Sequence, residues 1–342
     1  MGRLSGPKNG SQLTLSRSFG GCTAVPINPA ENLAMSRMPD AKALLPLIQK
    51  AFPHSQLLRS WPLSGGISAT MVALELQHAD GQTKKVIVRS HAHAGLAEKE
   101  YRLLQILQAQ EIKAPAPYLL DQSGTTASLV IDYIEGEMCF TPADLDSHMR
   151  QMANQLALIH SLDLSPQDVS FLAQNNGKCV ECSRERPFPN PNFPQETQIR
   201  ARLAKADPPK PQHKSALLHG DFWPGNSLWQ DGRLTAVIDW EDAQLGDPLI
   251  DLAQSRSEIA WIFGPEALES FSHCYQQRMP LDYTTLPYWD LCAALRQIRL
   301  VGDDLAGFAD YFVGYGRTDI TPQTIRQNLN IFINNALARL SP

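Results

Sequence analysis

The sequence has no long apolar run and no excess of positive charge. No stretch reaches the ~18 consecutive apolar residues that would suggest a membrane-spanning helix. Its 30 basic residues are outnumbered by 35 acidic ones, which argues against the basic surface of a nucleic-acid-binding protein. With 43% hydrophobic residues in a chain of 342, we expect an ordinary soluble globular protein with an ample core.

Cysteine is sparse, and no secretory signal precedes the six scattered cysteines, which favours a reducing cytoplasm. Cys179 and Cys182 form a Cys-x-x-Cys pair. A structural zinc site needs four ligands and no second pair follows, so we interpret this pair as two free thiols in a loop.

Hydrophobic periodicity is missing from residues 1–38, which are rich in glycine, serine and proline. They predict a disordered, dispensable tail, with Met35 or Met38 as an alternative start. The first 30 residues hold three basic and no acidic side chains, as in an organelle transit peptide, but glycine and proline interrupt any amphipathic helix there.

Regular patterns begin near residue 40 and divide the chain into two parts, an α+β organisation. Residues 39–134 predict a small sheet with one central helix; the elements are a helix over 40–52, strands over 60–77, 84–91 and 127–137, and a helix over 95–110. Residues 135–342 are mostly helical, and Thr141 is the predicted N-cap of their first helix.

Seven carboxylates stand beside apolar residues in the segment LLHGDFWPGNSLWQDGRLTAVIDWEDAQLGDPLIDLA, residues 217–253. Asp231 precedes a glycine and is an ordinary turn residue. The other six need an explanation, because a buried ionised carboxylate is costly unless it is paired, hydrogen-bonded or bound to a metal. They are Asp221, Asp239, Glu241, Asp242, Asp247 and Asp251.

A β-hairpin is predicted within this segment, because Asp231-Gly232 is a strong two-residue turn pattern. Counting outward from the turn places Asn226 opposite Val237 and Asp239 on the same face as Val237. Asn226 and Asp239 are therefore expected to converge. An amide oxygen and a carboxylate together suit Mg²⁺, which takes its remaining ligands from phosphates and water.

The kinase catalytic-loop pattern H-x-D-x-x-x-x-N is reproduced by His219, Gly220, Asp221 and Asn226. In that pattern the first Asp accepts the proton of the attacking hydroxyl, while the Asn and the next Asp hold the metal. Asp251 is expected to brace the loop through backbone hydrogen bonds. His219 is expected to play a structural role, as is His160.

The front part of the chain supplies candidate nucleotide-binding groups. Ser64, Gly65 and Gly66 lie between two strands, where a bare backbone can approach phosphates. Arg89 ends a strand and is placed to reach the α- and β-phosphates. Glu100 shares an apolar helical face and needs a partner, for which Arg89 is the obvious candidate. The residues that join the two parts are expected to offer backbone groups to an adenine ring; they are Asp132, Tyr133 and Ile134.

These segments together resemble the aminoglycoside phosphotransferase family, a small-molecule branch of the protein-kinase-like fold that also contains choline and homoserine kinases. The resemblance runs from about Trp61 to the C-terminal helices and rests on LSGGISATMV, VIVRS, EKEYRLLQIL, VIDYIEGE, LLHGDFWPGN and VIDWEDAQLGDPLIDLA. It implies a two-lobe fold with a small antiparallel-sheet N-lobe and a mostly helical C-lobe.

The resemblance also implies roles for individual residues. Asp221 becomes the catalytic base, Asn226 and Asp239 become Mg²⁺ ligands, and Arg89 with Glu100 becomes the pair that orients the phosphates of ATP. Many members of the family have lysine where this chain has Arg89. Because arginine is bulkier and binds in a bidentate manner, we expect the phosphate geometry to differ while the charge is kept.

The acceptor is expected to be a small molecule with a hydroxyl group. Only seven residues separate Asp239 from Asp247, and no A-P-E motif follows, so there is no room for the peptide platform of a protein kinase. Glu241, Asp242 and Asp247 are candidate acceptor-binding residues that would favour a cationic compound. Asp247 could instead cap the next helix. A catalytically silent nucleotide-binding protein of the same fold is the alternative to a kinase.

Overall fold

The computed structural model describes residues 41–63, 69–124, 126–165, 167–175, 179–183, 189–206, 209 and 212–340. The predicted tail and the Ser64–Gly66 turn lie outside these residues. Within the described part, the chain forms two compact units: one comprises residues 41–101 and Pro117–Tyr133, the other Arg102–Ala116 and residues 134–340. None of the described helices is both long enough and apolar enough to span a membrane.

The first unit is built on a five-stranded antiparallel sheet with the strand order β1-β2-β3-β5-β4. Apolar residues alternate along the central strands, as on β2 at Val72, Leu74 and Leu76, and this face forms the core with the first helix. The elements are α1 (Leu45–Ala51) after a 3₁₀ turn (Ala41–Leu44), β1 (Gln56–Leu63), β2 (Ala69–Gln77), β3 (Thr83–His91), the first half of α2 (Ala94–Ala109), β4 (Pro117–Asp121) and β5 (Ala127–Asp132). The residues of α2 from Arg102 onward belong to the second unit.

Strand β4 was not predicted from the sequence. It lies at the edge of the sheet and pairs with β5, and Pro117 is its first residue. Proline is tolerated there because its missing N–H costs no hydrogen bond in the interior of the sheet.

The second unit is mostly helical. Its first long helix, α3 (Leu145–His160), carries the predicted buried stripe of Met149, Met152, Leu156 and Ile159. The remaining helices are α4 (Val180–Ser183), α5 (Glu196–Lys205), α6 (Pro248–Phe263), α7 (Pro265–Arg278), α8 (Leu286–Leu300), α9 (Leu305–Val313) and α10 (Pro322–Arg339).

The predicted start of α3 is wrong. The N-cap is Asp144 and not Thr141, because the Asp144 carboxylate accepts a hydrogen bond from the backbone N–H of Ser147 at 2.9 Å. That bond satisfies one of the free amides of the first helical turn, so the helix begins after Asp144.

Two small sheets include strands from the acidic segment of residues 217–253 or next to it. Strand β10 (Gln244–Gly246) pairs antiparallel with β7 (Ala216–Leu218) and parallel with β6 (Ala173–Gln174). The predicted hairpin is formed by β8 (Ser227–Gln230) and β9 (Arg233–Val237), and Gln230 faces Arg233 as expected.

The predicted register of the hairpin is wrong at its far end. Ser227, and not Asn226, is opposite Val237, because Thr235 is an extra residue that has no partner on β8. Such a bulge shifts the pairing of the residues beyond it by one. The backbone N–H of Ile238 instead donates to the carbonyl oxygen of Asn226 at 2.9 Å, so Asn226 still meets the end of β9.

Candidate active site

Asp221 is buried between two side chains that donate to it from different elements. Arg296 on α8 donates from Nη2 to Oδ1 of Asp221 at 2.6 Å, and Asn226 donates from Nδ2 to Oδ2 at 3.0 Å. The same Asn226 amide group also bonds the carbonyl oxygen of Asp221 at 2.9 Å. The carboxylate is therefore fixed in one orientation by a charged donor and a neutral one.

Asp251 on α6 fixes the backbone of the loop that carries Asp221. Its two carboxylate oxygens accept hydrogen bonds from the backbone N–H groups of His219 at 2.7 Å and Gly220 at 2.9 Å. Burial opposes ionisation, but His160, His219 and the backbone N–H of His219 hold the pKa of Asp251 below its usual value. The predicted bracing role of Asp251 is confirmed by these contacts.

His219 is fully buried and serves the loop as a structural group. Its Nδ1 accepts a hydrogen bond from the backbone N–H of Asp221 at 3.3 Å, and its Nε2 lies 3.0 Å from the carbonyl oxygen of Ile238. These partners select the neutral tautomer with the proton on Nε2. Burial lowers the pKa of His219, which favours the same neutral form. His160 is likewise buried, bonding Tyr275 at 2.6 Å and Asp251 at 3.3 Å.

Gly220 stands where the protein-kinase loop has arginine, and its backbone explains the difference. Its φ is +83°, in the left-handed region that glycine adopts without strain. A Cβ atom at this position would clash with the backbone carbonyl of Asp242. The catalytic loop and the segment after β9 therefore lie so close together that only glycine fits at position 220.

Asn226 and Asp239 fit a Mg²⁺ ion in the chemistry of their donor atoms. Since the Nδ2 group of Asn226 is directed to Asp221, its amide oxygen faces the opposite way. Asp239 directly follows Ile238, whose N–H bonds Asn226, and it has a φ of +66°. This uncommon backbone conformation turns the chain at the residue that the sequence assigns to the metal.

Arg89 and Glu100 form a buried ion pair within the first unit. Arg89 donates from Nη1 to Oε1 of Glu100 at 2.8 Å, and Nε2 of His91 lies 3.1 Å from Oε2. Burial opposes the charge of Glu100, yet Arg89 and then His91 hold its pKa below the usual value. The predicted pairing is confirmed, and the phosphate-binding role of the pair stays a prediction.

The three residues assigned to the adenine ring lie at the end of β5 and just beyond it. The carboxylate of Asp132 accepts a hydrogen bond from the hydroxyl of Tyr118 at 2.9 Å. The backbone N–H of Tyr133 bonds the carbonyl oxygen of Lys85 at 3.3 Å, so the sheet already uses that amide. Ile134 belongs to the second unit.

The three acidic residues assigned to the acceptor differ in the contacts that they make. Asp247 caps α6 by accepting from the backbone N–H of Leu249 at 2.9 Å, and both of its oxygens lie 3.0 Å from Nδ1 of His213. The capping alternative is thus confirmed, and it accounts for this carboxylate without an acceptor. Glu241 and Asp242 are half-buried, and the backbone of Asp242 adjoins the catalytic loop at Gly220.

Arg296 is the residue of this site that the sequence reasoning missed. Burial disfavours its charge, but Asp221 and Glu258 raise the pKa of Arg296, so it stays cationic. A charged residue among buried apolar neighbours of a helix was the pattern that singled out Glu100. Arg296 lacks that pattern, because Leu295 and Ile298 are buried but lie on other sides of the helix.

A family model described as the phosphotransferase enzyme family matches residues 61–289 of this chain. Among curated proteins, acyl-CoA dehydrogenase family member 11 of Rattus norvegicus is 22% identical over 264 residues, which are 67% of this chain and 34% of that protein. The chain thus spans about a third of the length of that relative.

Two solved structures share the fold. A spectinomycin phosphotransferase in complex with ADP and spectinomycin has a TM-score of 0.58 and 16% identity, and covers 89% of this chain and 99% of that one. A macrolide 2'-phosphotransferase of Brachybacterium faecium has a TM-score of 0.54 and 19% identity, and covers 88% of this chain and 98% of that one. The predicted α+β, kinase-like fold is confirmed.

Proposed function

The chain belongs to the phosphotransferase enzyme family, and from this premise we propose that it transfers the γ-phosphoryl group of ATP to a hydroxyl group of a small molecule. The acceptor oxygen forms a bond to the γ-phosphorus while the bond from that phosphorus to the bridging oxygen of ADP breaks. The hydroxyl proton passes to the carboxylate of Asp221. ADP and a phosphate monoester are the products.

The observation that carries this proposal is the arrangement around Asp221. Its carboxylate is buried and held by Arg296 at 2.6 Å and Asn226 at 3.0 Å, on a loop whose backbone is fixed by Asp251. A purely structural loop has no need for so many charged groups, which are costly to bury. A carboxylate in this place would both position the hydroxyl and accept its proton.

Asn226 and Asp239 would hold Mg²⁺, which neutralises the negative charge of the phosphates. In this chain the Nδ2 group of Asn226 serves Asp221 while its amide oxygen faces away. One side chain therefore connects the acceptor side of the site to the metal side. The buried Arg89–Glu100 pair would orient the phosphates, and Glu100 would keep Arg89 from adopting other rotamers.

For the acceptor we propose a compound with at least one positive charge. Glu241 and Asp242 are half-buried on the segment after β9, and Asp242 adjoins the loop that carries Asp221; their charges would attract amines. Because Asp247 is engaged by a helix N-terminus and His213, we assign it no role with the acceptor. The short link between Asp239 and α6 supports a small acceptor, because it has no room for the peptide platform of a protein kinase.

Turnover of ATP across a library of amino-alcohols, sugars, aminoglycosides and macrolides tests the proposal, with ADP release as the measurement. We expect release that depends on both Mg²⁺ and an acceptor, and that is at least roughly 100-fold slower in Asp221→Asn. Nucleotide binding without turnover of any acceptor would instead favour the silent nucleotide-binding protein.

The charge of the acceptor is tested by comparing cationic with neutral acceptors of similar size at low and high salt. Attraction between charges is screened beyond about 8 Å at physiological ionic strength, so salt should reduce kcat/KM for cationic acceptors only. Better turnover of the neutral compounds, with no salt effect, would overturn the cationic acceptor and leave the kinase proposal intact.

A further inference from the structure

Three cysteines from distant parts of the sequence meet in the second unit. Cys179 directly precedes α4, Cys182 lies in α4, and Cys292 lies on α8. Their three Sγ atoms all lie within 4.8 Å of one another. We call these residues the cysteine cluster. The sequence predicted two free thiols in a loop: the thiols are free, but Cys182 is in a helix and a third cysteine joins the pair.

The separation of the sulfur atoms is close to what a metal ion requires. A Zn–S bond of about 2.3 Å with tetrahedral angles places two sulfur ligands about 3.8 Å apart. A disulfide requires about 2.05 Å, and none is formed here. Small rotations of the Cys side chains would bring three sulfurs within 4.8 Å onto one ion.

The surroundings of the cluster suit thiolate ligands. The guanidinium group of Arg200 places a positive charge near Cys182, which favours a bound thiolate. The neighbouring backbone is fixed by ion pairs, since Glu181 accepts two hydrogen bonds from Arg299 on α8 at 2.7 and 2.8 Å. Arg200 on α5 donates to the backbone carbonyl of Glu181 at 3.1 Å. The backbone next to Cys182 is therefore held in place before any ion arrives.

We propose that Cys179, Cys182 and Cys292 bind a Zn²⁺ ion through their three sulfur atoms, with the fourth position taken by water or another small ligand. Soft thiolate ligands select thiophilic ions such as Zn²⁺ over Mg²⁺, so this site does not compete for the Mg²⁺ of the phosphoryl transfer. Cys182 is exposed, which gives the ion a route from solvent.

The site would fasten α4 to α8. Cys292 lies one helical turn before Arg296, the residue that holds Asp221. An ion bound to Cys292 would therefore restrain the part of α8 from which Arg296 reaches the catalytic loop. The ion would restrain the position of α8, and it would be separate from the chemistry of the phosphoryl group.

Binding of Co²⁺, a spectroscopic substitute for Zn²⁺, tests the proposal. The full-length protein is reduced, stripped of metal with a chelator and titrated with Co²⁺. We expect a thiolate-to-cobalt charge-transfer band in the near ultraviolet that saturates at one equivalent and disappears when Zn²⁺ is added. Metal analysis of protein purified without chelators should find zinc, and the Tm of stripped protein should rise on addition of Zn²⁺.

Serine variants locate the site. Cys182→Ser and Cys292→Ser should lose the charge-transfer band and the Zn²⁺-dependent rise in Tm, whereas the control variants Cys139→Ser and Cys274→Ser should keep both. Because Cys292 packs between helices, Cys182→Ser provides the decisive result if Cys292→Ser does not fold. Absence of a band in the wild-type protein would overturn the proposal. So would a band that persists in Cys182→Ser, or a readily formed Cys179–Cys182 disulfide in place of metal binding.

Discussion

Arg296 and Asp221 form a buried ion pair in which Nη2 of the arginine donates to Oδ1 of the carboxylate at 2.6 Å. The two residues come from α8 and from the loop after β7, 75 positions apart in the sequence. The pair joins the proposed base to the helical body of the second unit. It makes the stability of this unit depend on the residue that we assign to catalysis.

Asp221→Asn is expected to reduce turnover by roughly 100- to 10,000-fold, the usual size of a general-base effect. An amide can still occupy the space but cannot accept the proton of the hydroxyl group. The affinity for Mg·ATP, measured by calorimetry, should hardly change, because Asp221 acts on the acceptor. Near-normal turnover in the variant would remove Asp221 from this role.

Arg296→Met and Asp221→Asn are expected to be non-additive in the free energy of unfolding. Removing one member of a buried pair leaves the other charge uncompensated, which costs about 3–5 kcal/mol. The double variant should therefore be more stable than the sum of the two single changes implies, as measured by urea unfolding. As a control, Glu258 lies farther from Arg296, at 3.8 Å, so Glu258→Gln should couple more weakly to Arg296→Met. Additive effects would mean that the pair contributes nothing to stability.

Asp239→Ala is expected to abolish Mg²⁺-dependent nucleotide binding while the fold is kept. The carboxylate is assigned to the metal, and the hairpin that leads to it is held by backbone bonds that the substitution does not touch. Calorimetry with and without Mg²⁺ measures the effect, and circular dichroism checks the fold. Unchanged binding of Mg·ATP would contradict the metal assignment.

Gly220→Ala is expected to destabilise the protein far more than Gly232→Ala. Both glycines have positive φ, +83° and +72°, so both substitutions cost about 1 kcal/mol of backbone strain. Only at Gly220 would the new methyl group meet the carbonyl of Asp242, because a Cβ at Gly232 has open space around it. The difference in Tm between the two variants isolates the clash, and equal Tm values would show that the loop can shift.

Acidification is expected to destabilise the protein partly through His148. This residue stacks on Trp229 with ring centroids 3.7 Å apart, and its Nε2 has no hydrogen-bond partner within the described ranges. Burial lowers the pKa of His148 to about 4, against 6.5 for an ordinary histidine. As the pH falls below 6.5 the unfolded state takes up the proton first, so the stability contributed above that pH is lost progressively down to about pH 4.

The size of this effect follows from the difference between the two pKa values. Between pH 7 and pH 5 the free energy of unfolding should fall by roughly 2 kcal/mol through His148. His148→Phe keeps an aromatic ring against Trp229 and cannot be protonated, so its urea unfolding should show a smaller loss over the same range. Equal losses in the variant and the wild-type protein would exclude His148 as the source.

The sequence predicted those parts of the site whose partners are local or whose burial conflicts with their charge. Glu100 lies on an apolar helical face and Asp251 lies between two apolar neighbours in the sequence, where a carboxylate needs a partner, and the structure supplies Arg89 and the loop amides. The sequence did not predict the roles of Arg296 and Cys292, because their partners lie far away in the sequence. Nothing near them indicates which distant group they meet.

The other two errors, in the start of α3 and in the register of the hairpin, arise where the local sequence allows more than one arrangement. Thr141-Pro142 and Asp144 both resemble the start of a helix, and only the hydrogen bond that Asp144 makes to Ser147 decides between them. The turn at Asp231-Gly232 predicts the pairing of the residues next to it. It does not predict the bulge at Thr235, which depends on a hydrogen bond from the Thr235 hydroxyl to the carbonyl of Leu228 at 3.0 Å.

The bulge at Thr235 restricts how this hairpin can change in length during evolution. Side chains alternate between the two faces of a strand, so an insertion or deletion of one residue in β9 reverses every side chain beyond it, while a change of two residues does not. Asp239 lies beyond the bulge. Related proteins that keep a carboxylate at the metal-binding end of the hairpin should therefore differ in the length of β9 by an even number of residues. A difference of an odd number of residues should be accompanied by the gain or loss of a bulge.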